Sequence, residues 1–446
     1  MLKSPFPLKK GSKKLINAWA FYDWANSVYP LVISSTIFPI YYGTLFDDIN
    51  TISFFDFPIK NTAVISFVIA AAFIIVALSS PILSGIADYL GNKVKFMKFY
   101  VYMGSFSCIA LYWFEIHNIY FGLFFYFLAL IGFWGGLVFY NSYLPEVAYP
   151  DQQDRSSARG FSFGYVGSVS LLLFNLFMIM NPKLFGIQGN ENESSMIAMR
   201  YSFILVGVWW ALFSQYSFYY LPRVRIRKKV SSHVIWNGYR ELRNVWRLLK
   251  NEVGLKRYLP AFFIYSTALQ TVILIAAYFG EEEILWPDAT EKTIGLIVSI
   301  LLIQLVGIIG AYFTARASEK FGSIPILIII NISWAIICLI AYHIKSPFEF
   351  YVTACFVGLF MGGVQALSRS TYSRLIPKTN NTTSFFSFYD VSEKIGIVIG
   401  MIIFGILDQY TGNMRTSIIF FFVLFFIGAI MLNKVPRDKL SKNILA

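Results

Sequence analysis

Twelve apolar stretches, each long enough to cross a lipid bilayer, constrain this chain more than any other feature of its sequence. A helix needs about 20 residues to cross the roughly 30 Å of hydrocarbon in a bilayer. Polar or Gly/Pro-rich segments separate the stretches, which fall at 16–45, 62–87, 96–114, 118–143, 158–180, 199–221, 258–280, 293–315, 323–343, 348–372, 384–408 and 415–433. The pattern predicts an all-α polytopic membrane protein with twelve transmembrane helices.

The composition excludes the main soluble alternatives. Charged residues make up 14% of the 446 residues, against about 25% in soluble domains. So few charges do not cover the surface of a soluble enzyme of this length, and they exclude a disordered chain or a coiled coil. The first apolar stretch is longer than the core of a cleaved signal peptide, so we expect it to stay as a membrane helix.

The basic residues indicate how the helices are oriented. With the N-terminus in the cytoplasm, 30 of the 37 Lys and Arg fall on inner segments and six on outer ones. Inner loops of membrane proteins carry such an excess, so both termini are predicted to be cytoplasmic. We expect the protein in the plasma membrane, which is the inner membrane if the source is bacterial. The formal charge of +13 is thus a topology signal, and no nucleic-acid partner is implied.

The longest inner segment divides the chain into two halves. We predict a six-helix half at 1–221, a basic cytoplasmic linker at 222–257 and a second six-helix half at 258–446. Within the linker, apolar residues recur at steps of three and four while basic residues share the opposite face, which is typical of an amphipathic helix in the membrane interface. A structural strap between the halves is the favoured interpretation, and a regulatory or lipid-sensing role is the alternative.

A short turn recurs in both halves. Asp88-Tyr-Leu-Gly91 follows the second span and Glu319-Lys-Phe-Gly322 follows the eighth, both on the inner side. Many secondary transporters are built from duplicated six-helix halves. The repeat therefore favours two pseudo-symmetric bundles.

The segment from Gly85 to Lys95 resembles the signature that major facilitator superfamily proteins carry between their second and third helices. It departs in one place, because Ser84 stands where the signature has its first glycine. The resemblance implies the major facilitator fold and a cytoplasmic gate at Asp88, Gly91 and Lys93. Physically, Asp88 can accept hydrogen bonds from a neighbouring helix N-terminus, and Lys93 can form an ion pair across the gate.

Longer segments resemble one branch of that superfamily, the vacuolar effluxer-like proteins and their bacterial relatives. The matching segments are 21–27, 38–41, 139–148, 362–370 and 386–394. The resemblance implies export of amino acids. Many members carry an acidic residue in the seventh helix, but this chain reads Tyr265-Ser-Thr-Ala-Leu-Gln270 there and has no carboxylate for a mechanism of that kind.

Ionisable residues inside a bilayer are costly and therefore mark candidate functional sites. Asp23, with Asn26 on the same helix face, either has a transport or gating role or is an interfacial acid at a helix start. Asp390 and Lys394 are spaced to form an ion pair, which leaves Glu393, about 14 Å deep, without an assigned partner. Burial favours the protonated form of a carboxyl group, so Glu393 is the first candidate for proton coupling and Asp23 is the second.

Arg369 has three open interpretations: a gate residue paired with Glu146 or Asp390, an inner-side anchor, or a ligand for a substrate carboxylate. The proposed cytoplasmic gate comprises Asp88, Gly91, Lys93, Glu146, Arg369, Asp390 and Lys394. The candidate substrate-cavity residues are Tyr22, Asn26, Asn141, Gln270 and Gln365.

Two enzyme motifs, the phosphate loop and HExxH, are absent from the sequence. The three cysteines are expected to be buried apolar residues. We therefore expect no catalytic residues, metal or cofactor, with proton coupling left open. The sequence predicts a monomeric secondary transporter of a small polar solute that works by alternating access. A lipid flippase is the alternative within transport, and a membrane scaffold or receptor is the alternative outside it.

Overall fold

The computed structural model of the protein describes residues 8–46, 51–54, 57–223, 234–411 and 413–436. Strands β1 (Thr51–Phe54) and β2 (Phe57–Lys60) form a small antiparallel hairpin, and a π-helix spans Tyr29–Ile37. The α-helices are α1 (Lys13–Asn26), α2 (Phe38–Leu45), α3 (Asn61–Leu90), α4 (Lys93–Ala110), α5 (Ile119–Asn141), α6 (Leu144–Val147), α7 (Gln153–Met180), α8 (Glu191–Tyr220), α9 (Val234–Asn251), α10 (Val253–Glu282), α11 (Ala289–Phe321), α12 (Ser323–His343), α13 (Pro347–Leu375), α14 (Thr382–Thr411) and α15 (Met414–Leu432).

Each predicted span coincides with a helix or, for the first span, with α1, the π-helix and α2 together. The all-α polytopic fold class is thereby confirmed. In the described part of the chain, ten helical segments are long and apolar enough to cross a membrane, and α4 and α14 are not among them. Each of these two helices carries three charged side chains in its first half, yet α4 packs against α5 and α8, and α14 packs against α3 and α10.

Several helices run further than the apolar stretches that predicted them. α7 begins at Gln153 rather than at 158, and α11 ends at Phe321 rather than at 315. The polar ends continue the helix beyond the hydrocarbon, which hydropathy alone does not report. For the same reason α10 begins at Val253, inside the predicted linker. Of that linker, residues 224–233 lie outside the described residues.

Two prolines account for the irregular first span. Pro30 and Pro39 have no N–H to donate along the helix, and the chain between them widens into the π-helix. The Thr36 hydroxyl donates to the carbonyl of Leu31 at 2.8 Å within this π-helix. Prolines inside a predicted span are the sequence signal for such a disturbance.

The apolar core is divided into two large clusters. One contains buried side chains from Leu15 to Leu221, and the other contains mainly side chains from Val245 to Val435. Val138 and Tyr165 of the first half belong to the second cluster, so they lie at the seam between the halves. The start of α1, the end of α15 and the two glycine turns share one end of the bundle, which we call the terminal face; the opposite end is the far face.

Candidate functional site: a polar seam between the two halves

Asp88 joins the two halves at the terminal face. Its carboxylate, at the end of α3, accepts the backbone N–H of Ser384 at 2.7 Å and that of Thr383 at 3.3 Å, both in the first turn of α14. The first N–H groups of a helix have no partner within it, and the helix dipole favours an anion there. The sequence predicted that Asp88 would accept such bonds, and the geometry agrees.

The turn that follows Asp88 places a lysine beside the same helix start. Gly91 has a φ of +66°, in the left-handed region that glycine adopts without strain. Two residues later the Lys93 ammonium donates to Glu146 of α6 in its own half and to the Thr382 hydroxyl of α14 in the other half. Glu146 also accepts from Thr382 at 3.1 Å. Lys93 thus contacts the second half through a hydroxyl, while its ion pair stays within the first half.

The seam between α3 and α14 continues towards the middle of the bundle. Ser80, two helical turns before Asp88, donates to Asp390 at 3.2 Å. Asp390 also accepts from Lys394 at 2.5 Å, which is the ion pair that their spacing predicted. The Lys394 ammonium lies 4.3 Å from the centre of the Trp134 ring of α5, so it too contacts the first half.

Glu393 has two partners, which corrects the expectation that it has none. Its carboxylate accepts from Lys394 at 3.2 Å and from the Gln270 amide of α10 at 2.8 Å. Side chains of adjacent residues diverge on a helix, but a lysine is long enough to reach a neighbouring carboxylate. Gln270, predicted to line the substrate cavity, holds this carboxylate in place.

Asp23 and Arg369 form a second buried connection between the halves. Asp23 of α1 accepts from the Tyr140 hydroxyl at 2.7 Å and lies 3.5 Å from the Arg369 guanidinium of α13. The interpretation of Asp23 as an interfacial acid at a helix start is therefore wrong, since Asp23 lies near the end of α1 and its side chain is only 8% exposed. Arg369 also donates to the Ser157 hydroxyl and carbonyl and to Asn141 at 3.2 Å.

Arg369 pairs with Asp23 and not with Glu146 or Asp390, so its predicted gate partners are wrong. Its planar guanidinium lies 4.4 Å from the Phe161 ring centre and 4.9 Å from that of Trp19. An aromatic enclosure and hydrogen bonds on several sides suit an arginine that stays charged away from water. The contacts make Arg369 a bridge between the halves, and they leave Asn141 in that bridge rather than in an open cavity.

A third connection between the halves was not predicted from the sequence. Asp154, at the start of α7, accepts from Arg374 and Ser370 of α13, each at 2.5 Å. It also accepts from Ser318 and Ser323 at 2.8 Å. These four partners all belong to the second half, and the Asp154 side chain is 5% exposed. Four donors from the second half thus surround one buried carboxylate of the first half.

The third connection involves the second copy of the repeated turn. Ser318 and Ser323 flank Glu319 and Gly322, and Glu319 pairs with Arg155 of α7 at 2.6 Å. Around Asp88 the turn supplies the carboxylate and the opposite helix supplies the donors. Around Asp154 the roles are exchanged, because the helix supplies the carboxylate and the turn supplies the hydroxyls. The hydropathy pattern placed Asp154 in a loop, because the predicted span begins at residue 158. Its position in an inner segment was the signal that could have marked it as a gate residue.

The remaining predicted cavity residues lie around these contacts. Tyr22 is buried, with its ring 4.7 Å from the Tyr140 ring, and Asn26 is also buried. Gln365 accepts from the Tyr165 hydroxyl at 3.3 Å, which joins α13 to α7 across the seam. A depression at the far face, lined by Thr44, Glu193 and neighbouring side chains, contains none of these residues.

Gly160 sits where the Asp23–Arg369 pair permits no side chain. A Cβ there would lie 2.4 Å from an Asp23 carboxylate oxygen and 3.1 Å from an Arg369 nitrogen. Gly160→Ala is expected to displace the pair and to lower the apparent melting temperature in detergent by a few degrees, which corresponds to about 1–2 kcal/mol. Gly405→Ala is the control, because nothing lies within 4 Å of its Cβ position. Equal melting temperatures of the two variants would contradict the close approach.

Solved structures of transporters share this architecture. The chain matches the fucose:proton symporter FucP of E. coli with a TM-score of 0.68 at 14% identity, covering 95% of this chain and 98% of that one. It matches the proton:xylose symporter XylE with a TM-score of 0.71 at 13% identity, covering 96% of each. At these identities the likeness shows the fold alone. The fold of this chain is therefore that of the major facilitator superfamily.

A family model narrows the class. The model described as "Vacuole effluxer Atg22 like" matches residues 11–444, so the chain belongs to the Atg22-like family. A relative is YxiO of Bacillus subtilis, which is named an MFS-type transporter. It is 28% identical over 436 residues, and the match covers 97% of each chain. Autophagy-related protein 22 of Eremothecium gossypii is 28% identical over 313 residues, 65% of this chain and 58% of that protein. The chain is a multi-pass secondary transporter and not an enzyme.

Proposed function

We propose that this transporter exports a small polar solute, amino acids first among the candidates, and that the terminal face is its closed cytoplasmic gate. The observation that carries the proposal is the arrangement of buried charge. Asp88, Asp154 and Arg369 each bind the opposite half of the molecule near the same end of the bundle. Bonds of this kind hold one end shut in a carrier whose halves rock about a central site.

The orientation in the membrane rests on the distribution of basic residues. Positively charged loops stay on the cytoplasmic side, and the terminal face carries most of the Lys and Arg of this chain. Both termini are then cytoplasmic, and the plasma membrane is the proposed location. Export of amino acids is supported by the family description, which names a vacuole effluxer.

Coupling to protons is proposed at Glu393. The charged side chains within the described membrane helices near the middle of the seam are Asp23, Asp390, Glu393, Arg369 and Lys394, so acids exceed bases by one. An uncompensated charge in a low-dielectric interior is costly, and a bound proton removes it. The Glu393 side chain is 17% exposed against 5% for Asp390 and 8% for Asp23, so it is the carboxylate most open to exchange.

Reconstituted vesicles test both the substrate and the coupling. The wild-type protein is expected to accumulate labelled amino acids when a pH gradient is imposed. Glu393→Gln removes the exchangeable proton but keeps a hydrogen-bonding group beside Gln270. It is expected to lose at least about 90% of the pH-driven accumulation, while exchange of substrate across the membrane continues.

Glu282→Gln serves as the matched control, because Glu282 is exposed at the end of α10. It should behave as the wild type does. Normal pH-driven accumulation by Glu393→Gln would exclude Glu393 as the coupling site, and Asp23→Asn would be tested next. Failure of the wild type to move any amino acid in either direction would overturn the substrate class.

A further inference from the structure

Helix α9 crosses the seam between the halves at the terminal face. It packs against α3 of the first half and also contacts α10 and α14 of the second half. Val245 and Leu249 on its inner side are buried in the second core cluster. The Trp246 ring stacks on Phe388 of α14 with the ring centres 5.5 Å apart. The helix therefore touches both of the elements that the Asp88 bonds hold together.

The outer side of α9 is basic and aromatic. Four exposed side chains at steps of three and four share this side: Arg240, Arg243, Arg247 and Lys250. None of the four forms an ion pair with a carboxylate in the described part of the chain. Trp236 and Tyr239, which are 58% and 50% exposed, stack on each other beside them. Exposed cations next to exposed Trp and Tyr rings are the pattern that amphipathic helices present to a membrane surface.

The position of α9 decides which anionic partner this surface fits. The helix is held against the terminal-face ends of membrane-spanning helices, which is the depth of the lipid headgroups. Phosphate groups of anionic phospholipids are abundant there, and each Lys or Arg near such a surface gains attraction from the negative surface potential. Trp and Tyr rings prefer the same layer of the bilayer.

We propose that α9 is a clasp that binds anionic phospholipid headgroups and thereby stabilises the closed terminal face. Opening of this face separates α3 from α14 and breaks the Asp88 bonds, so α9 must leave either α3 or Phe388. Headgroups bound by the four basic side chains hold α9 across the seam. A ligand that binds one state better shifts the equilibrium towards that state. The proposal does not depend on the identity of the substrate.

The test compares nanodiscs of neutral phosphatidylcholine with nanodiscs that contain 30% phosphatidylglycerol. Spin labels on exposed residues of the two halves, Lys95 and Lys378, report the distance across the terminal face. In the wild type, phosphatidylglycerol is expected to raise the ratio of closed to open protein roughly tenfold, and high salt should reduce the effect. The variant Arg240→Gln/Arg243→Gln/Arg247→Gln should show no difference between the two lipids.

The control variant Arg316→Gln/Lys320→Gln removes two exposed basic residues from the end of α11, away from α9, and should respond as the wild type does. A lysine-for-arginine triple variant should also respond, because it keeps the charge. If the glutamine variant fails to fold, the comparison of low and high salt in the wild type decides the question. The proposal is overturned if the wild type ignores phosphatidylglycerol or if the glutamine variant responds fully.

Discussion

Asp154→Asn is expected to open the terminal face. The substitution removes the charge that Arg374 meets at 2.5 Å, and the asparagine amide cannot accept from all four donors. Breaking one side of a buried ion pair costs about 3–5 kcal/mol because the other charge is left poorly compensated. Since this pair joins the halves, much of that cost falls on the closed state. A loss of about 3 kcal/mol corresponds to roughly a hundredfold shift towards the open state.

The reactivity of a buried cysteine measures this opening. Ala158 of α7 is 4% exposed and packs with Ala311, Ala315 and Ala366 of the second half. In a background with the three natural cysteines replaced by serine, Ala158→Cys should react slowly with a hydrophilic maleimide. Asp154→Asn should speed the reaction at least about tenfold, in keeping with the shift expected above. Asp151→Asn is the matched control, since Asp151 is exposed one turn earlier. Equal reaction rates in all three proteins would contradict the role assigned to Asp154.

Arg369→Gln alone is expected to destabilise the protein more than a double variant that removes the charges of both Asp23 and Arg369. The single variant leaves Asp23 buried beside aromatic rings, with the Tyr140 hydroxyl as its remaining native donor among the described residues. Transport should fall below about a tenth of the wild-type rate, and the apparent melting temperature should fall by about 5 °C. Asp23→Asn combined with Arg369→Gln removes the uncompensated charge and should recover part of that loss of stability.

A double-mutant cycle on melting temperature makes this comparison quantitative. Residues in direct contact give non-additive effects, so the double variant should be more stable than the sum of the two single changes indicates. Arg316→Gln, at an exposed position on α11, controls for the loss of an arginine as such. Strict additivity of the Asp23 and Arg369 changes would show that the pair contributes nothing, and the bridge between α1 and α13 would have to be abandoned.

Features encoded locally were predictable from the sequence. The apolar stretches gave the helices because hydropathy follows burial in lipid, and the spacing of Asp390 and Lys394 gave their ion pair because residues four apart share a helix face. Asp88 beside a glycine at the end of a helix indicated a carboxylate available to cap another helix. The prolines at 30 and 39 indicated the disturbance of the first span.

Long-range partners were not predictable from one sequence. Asp23 and Arg369 are 346 residues apart, and Asp154 and Arg374 are 220 residues apart. No local pattern specifies such pairs, because they depend on how the two halves dock. Long-range packing also explains why no partner was predicted for Glu393, since Gln270 reaches it from another helix, 123 residues earlier. From the sequence alone, a charged residue at a helix end such as Asp154 is assigned to a solvated loop. Only the packing of the other half shows that it is buried.

Spin-label distances on both faces test the central claim that the two halves rock against each other. One label pair, Lys95 with Lys378, spans the terminal face, and a second pair, Leu184 with Leu285, lies on exposed residues of the two halves at the far face. In Asp154→Asn, relative to the wild type, the terminal-face distance should lengthen while the far-face distance shortens. A terminal-face distance that lengthens with no change at the far face, or two distances that lengthen together, would contradict alternating access in this protein.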